Sequence, residues 1–78
     1  MNLDSALIVA RTGGVVSPKN EGFRLSYGKH TSLQKVVSDD GISYQNPIEI
    51  EGFIKDENGT VEVVSLEYLQ NYDSWIIV

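Results

Sequence analysis

Two segments of alternating residues flank an Asn58-Gly59 pair, and they constrain the fold more than any other part of the chain. Their apolar positions are Ile48, Ile50, Val61 and Val63. An Asn-Gly pair readily adopts the positive φ angles that tight hairpin turns require. We therefore expect a β-hairpin unit over residues 48–66. Gly52 interrupts the alternation of the first strand and predicts a bulge there.

The N-terminal segment predicts one short amphipathic helix over residues 3–11. Its apolar residues recur at helical spacing and are Leu3, Ala6, Leu7 and Ala10. Asn2 is the expected N-cap, and Gly13 or Gly14 is expected to end the helix. A helix of this length is not stable alone, so we expect it to pack on a sheet.

The remaining apolar runs predict short strands. They cover residues 15–16, a segment around Leu25, residues 33–37, residues 42–44 and the C-terminal residues 75–78. Pro18 is expected to stop the first of these strands. Residues 66–71 are expected to form a helical turn that is capped by Ser65. The fold class that follows is α+β, with one short N-terminal helix packed on an antiparallel β-sheet of about five or six strands. Residues 1–78 form a single domain.

Size and composition favour self-association. A chain of 78 residues buries only a little over ~60% of the surface that its unfolded form exposes, so its stability is slim. Cysteine is absent and there is one histidine, so neither a disulfide nor a zinc site is expected to add stability. Its last four residues, Trp75 to Val78, are all apolar. We therefore expect a homo-oligomer. No apolar run is long enough to span a membrane and no basic leader is present, so the expected location is cytoplasmic, without a membrane partner.

Charge divides the chain into two halves of opposite sign. Residues 1–38 carry five basic and two acidic side chains, a balance of +3, whereas residues 39–78 carry one and nine, a balance of −8. We expect a basic face and an acidic face with different partners. The net charge of −5 disfavours nucleic acid, whose phosphates are bound mainly by lysine and arginine.

The basic half contains the candidate ligand site. Cations, hydroxyls and a glycine suit a phosphate group, although the spacing is not that of a P-loop. The predicted ligand-binding residues are Arg24, Tyr27, Lys29, His30, Lys35 and Trp75. For the basic residues the alternative is a solvated loop. Trp75 has two possible roles, either in the core or as a face on which a purine stacks.

Neither a reaction nor a metal is indicated by the motifs. His30 lacks a recognisable nucleophile and orienting carboxylate, and no Gly-x-Ser-x-Gly elbow is present. The Asp56 to Thr60 segment is not an EF-hand loop, because its sixth position is Val61 rather than glycine. We predict no catalytic residue, no metal and no cofactor.

Several segments together resemble the phage Thoeris anti-defence sponge proteins. They are Leu3-Asp4-Ser5-Ala6-Leu7, Gly13-Gly14-Val15-Val16, Lys55-Asp56-Glu57-Asn58-Gly59 and Asp73-Ser74-Trp75. The resemblance implies small subunits with one helix and an antiparallel sheet that assemble into oligomers. It also implies that cyclic ADP-ribose-type signals are sequestered without cleavage, in the host cytoplasm, with Trp75 at the ligand.

Two functions remain open from the sequence. The first is a non-catalytic protein that sequesters a small nucleotide-type or phosphorylated signalling ligand, which would make it a phage anti-defence protein. The alternative is a small acidic phage-type inhibitor or adaptor that binds a host protein through its acidic C-terminal half. A small enzyme is the third class, and no motif favours it.

Overall fold

The computed structural model describes residues 1–32, 35–44 and 47–78, and it confirms the α+β class. Within these residues the chain forms two helices and seven strands. In chain order these are α1 (Leu3–Arg11), β1 (Val16–Pro18), β2 (Arg24–Ser32), β3 (Lys35–Ser38), β4 (Gly41–Tyr44), β5 (Ile48–Glu57), β6 (Thr60–Val64), α2 (Leu66–Leu69) and β7 (Trp75–Ile77).

Helix α1 has the bounds and the cap that the sequence predicts. The Asn2 side-chain Oδ1 accepts a hydrogen bond from the Ser5 N–H at 2.9 Å. Ala6 and Ala10 are fully buried, and their small side chains let the helix lie close to the sheet. The helix ends before Gly13, whose φ of 96° suits glycine.

Loss of this cap is expected to have a measurable cost. Asn2→Ala removes the acceptor for one N–H of the first turn and should lower the free energy of unfolding by about 1 kcal/mol. Urea denaturation followed by circular dichroism measures the change. Lys19→Ala, at an exposed position outside both helices, is the control and should stay within about 0.5 kcal/mol of the wild type. Equal losses in the two variants would contradict the capping role of Asn2.

Five antiparallel strands form the main sheet in the order β6-β5-β2-β1-β7, and β3 and β4 form a separate two-stranded sheet. Strands β2 and β5 pair over nine consecutive residues, from Arg24 opposite Asp56 to Ser32 opposite Ile48. Gly52 lies directly opposite Gly28 in this unbroken ladder, so the predicted bulge is wrong. Strand β1 ends at Pro18, as predicted, and it begins at Val16 rather than at residue 15. Residues 33 and 34 of the predicted strand 33–37 lie outside the described residues.

The predicted β5–β6 hairpin is confirmed. Asn58 and Gly59 both have positive φ, 53° and 86°, as a two-residue turn of this kind requires. The Asp56 carboxylate accepts a hydrogen bond from the Gly59 N–H at 3.2 Å and supports the turn.

The core lies on one side of the main sheet. Its buried apolar residues are Ala6, Ala10, Val16, Phe23, Leu25, Phe53, Leu69 and Trp75. Both helices contribute to this cluster, so we call this side of the sheet the helix face. On the β2–β5 ladder it is formed by Leu25, Tyr27, Lys29 and Thr31 of β2 and by Lys55, Phe53, Glu51 and Glu49 of β5. The opposite side is the open face, formed by Ser26, Gly28 and His30 of β2, Ile48, Ile50 and Ile54 of β5, and Val61 and Val63 of β6.

The two ends of the chain are tied together at strand β7. The Met1 ammonium donates a hydrogen bond to the Trp75 carbonyl at 2.8 Å, and the Trp75 N–H donates to the Met1 carbonyl at 2.8 Å. The C-terminal segment is therefore a sheet strand, as its apolar residues predict. None of the helices in the described ranges has the length and apolar character needed to cross a membrane.

An extended arm gives the molecule its elongated shape of 50 × 23 × 21 Å. The radius of gyration is 15.0 Å, against about 12 Å for a compact chain of this length. The buried core ends at Phe53, opposite Tyr27. Beyond this pair, Gly28–Ser32 and Ile48–Gly52 continue as a two-stranded ribbon, which we call the arm.

Candidate functional site

The predicted ligand residues of β2 are divided between the two faces of the sheet. Side chains alternate along a strand, so Tyr27 and Lys29 lie on the helix face, whereas Arg24 and His30 lie on the open face. Arg24 and His30 are six residues apart, which is about 20 Å along a strand. A single phosphate group cannot contact all four side chains of one chain.

Carboxylates accompany the cations of β2. The Lys29 Nζ lies 3.4 Å from the Glu49 Oε1, and Arg24 lies opposite Asp56 in the ladder. The expectation of separate basic and acidic faces is wrong for this ladder, because β2 comes from the basic half and pairs along its length with β5 from the acidic half. Cations and carboxylates therefore mix along the β2–β5 ladder.

Tyr27 is held on the helix face by three neighbours. Its hydroxyl donates a hydrogen bond to the Glu51 Oε1 at 3.3 Å, and its ring meets that of Phe53 edge-on at a centroid distance of 5.1 Å. The Arg11 guanidinium lies 5.4 Å from both ring centroids. The sequence assigns Arg11 to the last turn of α1 and gives no sign that it covers these rings.

Trp75 takes the first of its two possible roles, in the core. Its side chain is 1% exposed and packs edge-on against Phe23 and Tyr72, and its Nε1–H donates to the Tyr72 carbonyl at 2.9 Å. The buried ring has no free face on which a base could stack. Lys35 belongs to strand β3, and its side chain lies outside the described part of the chain.

The fold instead assembles a cluster around Lys55, the one cation of the β5–β6 hairpin. Its Nζ donates to the Tyr68 hydroxyl at 2.8 Å and lies 3.3 Å from Glu57 Oε2 and 3.8 Å from Glu62 Oε1. The ammonium is also 5.0 Å from the ring centroids of Phe23 and Tyr68. The Lys55 side chain is 15% exposed, whereas Glu57 and Glu62 are about half exposed. The cation therefore faces the aromatic core and its carboxylates face the solvent.

We call residues 48–64 the acidic hairpin. Its carboxylates are Glu49, Glu51, Asp56, Glu57 and Glu62. Five acids against one lysine give a balance of −4, and the lysine is the one charged residue that is largely covered. The acidic residues can be identified from the sequence, but the orientation of Lys55 cannot. The sequence does not show that Tyr68 packs against Lys55 of β5.

Two open depressions flank the turn of the acidic hairpin, and both contain carboxylates. One is lined by Lys55, Glu57, Asn58, Thr60 and Glu62 and the other by Gly22, Arg24, Asp56 and Asn58. An anionic phosphate in either depression would lie next to a like charge, which is unfavourable. The first depression has two carboxylates against one cation and suits a cationic side chain better than a phosphate, whereas Arg24 and Asp56 balance each other in the second.

The Lys55–Tyr68 contact changes the acidity of both groups. The hydrogen bond from the ammonium lowers the pKa of the Tyr68 hydroxyl, because it stabilises the phenolate. The same hydrogen bond, followed by the contact with Glu57, raises the pKa of Lys55 above its usual range.

A titration tests this contact. In Lys55→Met the pKa of Tyr68 is expected to rise towards its ordinary value of 10.0, since the stabilising ammonium is gone. The measurement is the pH dependence of the Tyr68 ring Cζ chemical shift by NMR. Lys29→Met removes a lysine that is paired elsewhere, and it should leave the Tyr68 titration unchanged. A Tyr68 midpoint that is the same with and without Lys55 would contradict the contact.

Among the described residues, no group of three or more histidine, aspartate or glutamate side chains is placed to hold a metal ion. Comparison of the chain with protein-family models, with curated proteins and with solved structures finds no match in any of the three. The resemblance to the Thoeris anti-defence proteins and the nucleotide ligand that it implies therefore stay predictions.

Proposed function

We propose that this protein is a non-catalytic binding module, a small adaptor or inhibitor that engages a basic surface of another protein through its acidic hairpin. The observation that carries the proposal is the inward orientation of Lys55 beneath exposed carboxylates. The hairpin thus carries five carboxylates against one largely covered lysine of its own, and the neighbouring cations Lys29 and Arg24 belong to β2. Such a surface attracts a basic partner and accelerates its association.

The geometry supports protein binding better than capture of a phosphorylated ligand. The predicted basic residues are spread over two faces of β2, and the two depressions beside the hairpin turn are lined in part by carboxylates. An exposed hairpin, in contrast, is a shape that a protein surface can cover. The acidic C-terminal half is therefore the proposed binding region, as the second sequence hypothesis states.

Charge reversal on the hairpin tests the proposal. Tagged protein is used to capture partners from the cells that express it, and the affinity for each purified partner is measured by calorimetry at low and high salt. Glu51→Lys is expected to weaken binding about tenfold or more, because a favourable charge pair becomes a repulsive one. Asp73→Lys changes the net charge by the same amount at an exposed loop position outside the hairpin, and it should bind as the wild type does.

Two outcomes would contradict the proposal. One is equal loss of affinity in Glu51→Lys and Asp73→Lys, since the effect would then follow net charge rather than the hairpin. The other is native mass spectrometry that finds a nucleotide-sized molecule bound to the purified protein, with binding that depends on Arg24 and not on Glu51. That result would support the ligand-capture hypothesis instead.

A further inference from the structure

The open face of the sheet carries a row of branched apolar side chains with no covering layer in the described structure. Ile48, Ile50 and Val61 are each about 40% exposed, and Ile54 and Val63 are half-buried beside them. Both helices pack on the opposite side, against Leu25, Phe53 and Trp75. A sheet with water on one side normally has polar residues on that side, whereas β5 has isoleucine residues there.

The arm adds a second reason to expect a covering layer. Beyond Phe53 in β5, the ladder has no further strand beside it among the described residues, because β6 pairs only with Phe53 to Glu57 and β1 only with Leu25. A two-stranded ribbon is marginally stable alone in water. Packing against another sheet would stabilise both the arm and the apolar row.

Charges lie away from the centre of this face. From Ile48 to Ile54 of β5 the open-face positions are isoleucine or glycine, and the charged pair Asp56–Arg24 lies at one end. On β2 the titratable side chain of this face is His30, opposite Ile50. Gly28 and Gly52 are paired at the centre and have no side chains, so nothing projects from the sheet there. A flat apolar layer can therefore cover the middle without burying an unpaired carboxylate, lysine or arginine, which would be costly.

We propose that a second copy of this chain covers the open face, so that two sheets stack face to face about a two-fold axis near Gly28 and Gly52. The β2–β5 ladder and β6 together present about 350–400 Å² in projection, taking strand spacings of about 4.8 Å and a rise of about 3.4 Å. Two such faces approach the ~1,000 Å² of buried surface that a specific interface needs, since accessible area exceeds projected area. In the resulting dimer the two sheets form the inner layers and the helices of each copy form the outer layers.

Stacking is favoured over pairing of the two arms edge to edge. An antiparallel pair of β5 edges centred on Ile50 would place each Glu49 opposite the Glu51 of the other copy, and like charges directly opposite are destabilising. Stacking of the open faces leaves Glu49 and Glu51 on the outer, helix side. The dimer is thus independent of the proposed partner and presents the acidic hairpin twice.

Sedimentation equilibrium at several protein concentrations, from micromolar upwards, tests the dimer. We expect twice the 8.6 kDa chain mass for the wild type and 8.6 kDa for Ile50→Glu, which puts a charge in the centre of the interface. Thr31→Lys adds a charge on the helix face of the arm, opposite Glu49, and should stay dimeric. A monomeric wild type, or equal dissociation of both variants, would overturn the proposal.

Single cysteines provide a second test that does not depend on disrupting the interface. The chain has no native cysteine, so Ser26→Cys and Thr31→Cys each give one thiol, on the open and helix faces respectively. A bis-maleimide of about 10 Å, the spacing of packed sheets, should cross-link Ser26→Cys to a dimer much more completely than Thr31→Cys. Preferential cross-linking through Thr31→Cys would place the contact on the other face and overturn the proposal.

Discussion

Trp75→Ala is expected to lower the free energy of unfolding by about 3–5 kcal/mol, the usual cost of truncating a buried tryptophan. The ring is 1% exposed and is surrounded by Phe23 and Tyr72, so the truncation leaves a cavity and removes the Nε1–H donor to Tyr72. A domain of this size has a total stability of about 4–12 kcal/mol. The variant should therefore be largely unfolded at 37 °C or retain only a small part of the wild-type free energy of unfolding.

A residue of the same strand provides the control. Ile77 is 66% exposed, and Ile77→Ala should change the free energy of unfolding by about 0.5 kcal/mol or less. Urea denaturation followed by circular dichroism compares the two variants with the wild type. If Trp75→Ala were as stable as Ile77→Ala, Trp75 would not be a core residue, and its role as a stacking surface would have to be reconsidered.

The elements that the sequence predicts best are those with a local signal at each end. Helix α1 has an N-cap at Asn2 and a glycine after its last turn, and the β5–β6 hairpin has Asn58 and Gly59 at its turn. The bulge at Gly52 was a wrong prediction because a glycine in a strand also fits a regular ladder. Here another glycine, Gly28, lies opposite it, and that partner cannot be identified from either segment alone.

The candidate site was less predictable, because it depends on which strands become neighbours. Strand alternation already separates Arg24 from Lys29, since the two positions differ by an odd number of residues. The pairing of β2 with β5, in contrast, joins residues that are 16 to 32 positions apart in the chain and mixes the charges of the two halves. The inward orientation of Lys55 depends on Tyr68, which α2 brings back over the strand.

Leu25→Ala is expected to have the second largest effect, a loss of about 2–5 kcal/mol. Leu25 is fully buried and is the residue at which β2 pairs with β1 on one side, opposite Val16, and with β5 on the other, opposite Lys55. Its side chain therefore packs where the short strands β1 and β7 join the long ladder. A cavity here should weaken the attachment of both short strands as well as remove apolar burial.

The control for Leu25 is Ile8, an aliphatic side chain on the solvent side of α1. Ile8 is 65% exposed, so Ile8→Ala should leave the free energy of unfolding within about 0.5 kcal/mol of the wild type. Hydrogen exchange adds a local readout: in Leu25→Ala, the N–H of Val78, which donates to the Val15 carbonyl at 2.9 Å, should exchange faster. Unchanged exchange at Val78, with a stability loss below about 1 kcal/mol, would mean that Leu25 does not join the two parts of the sheet.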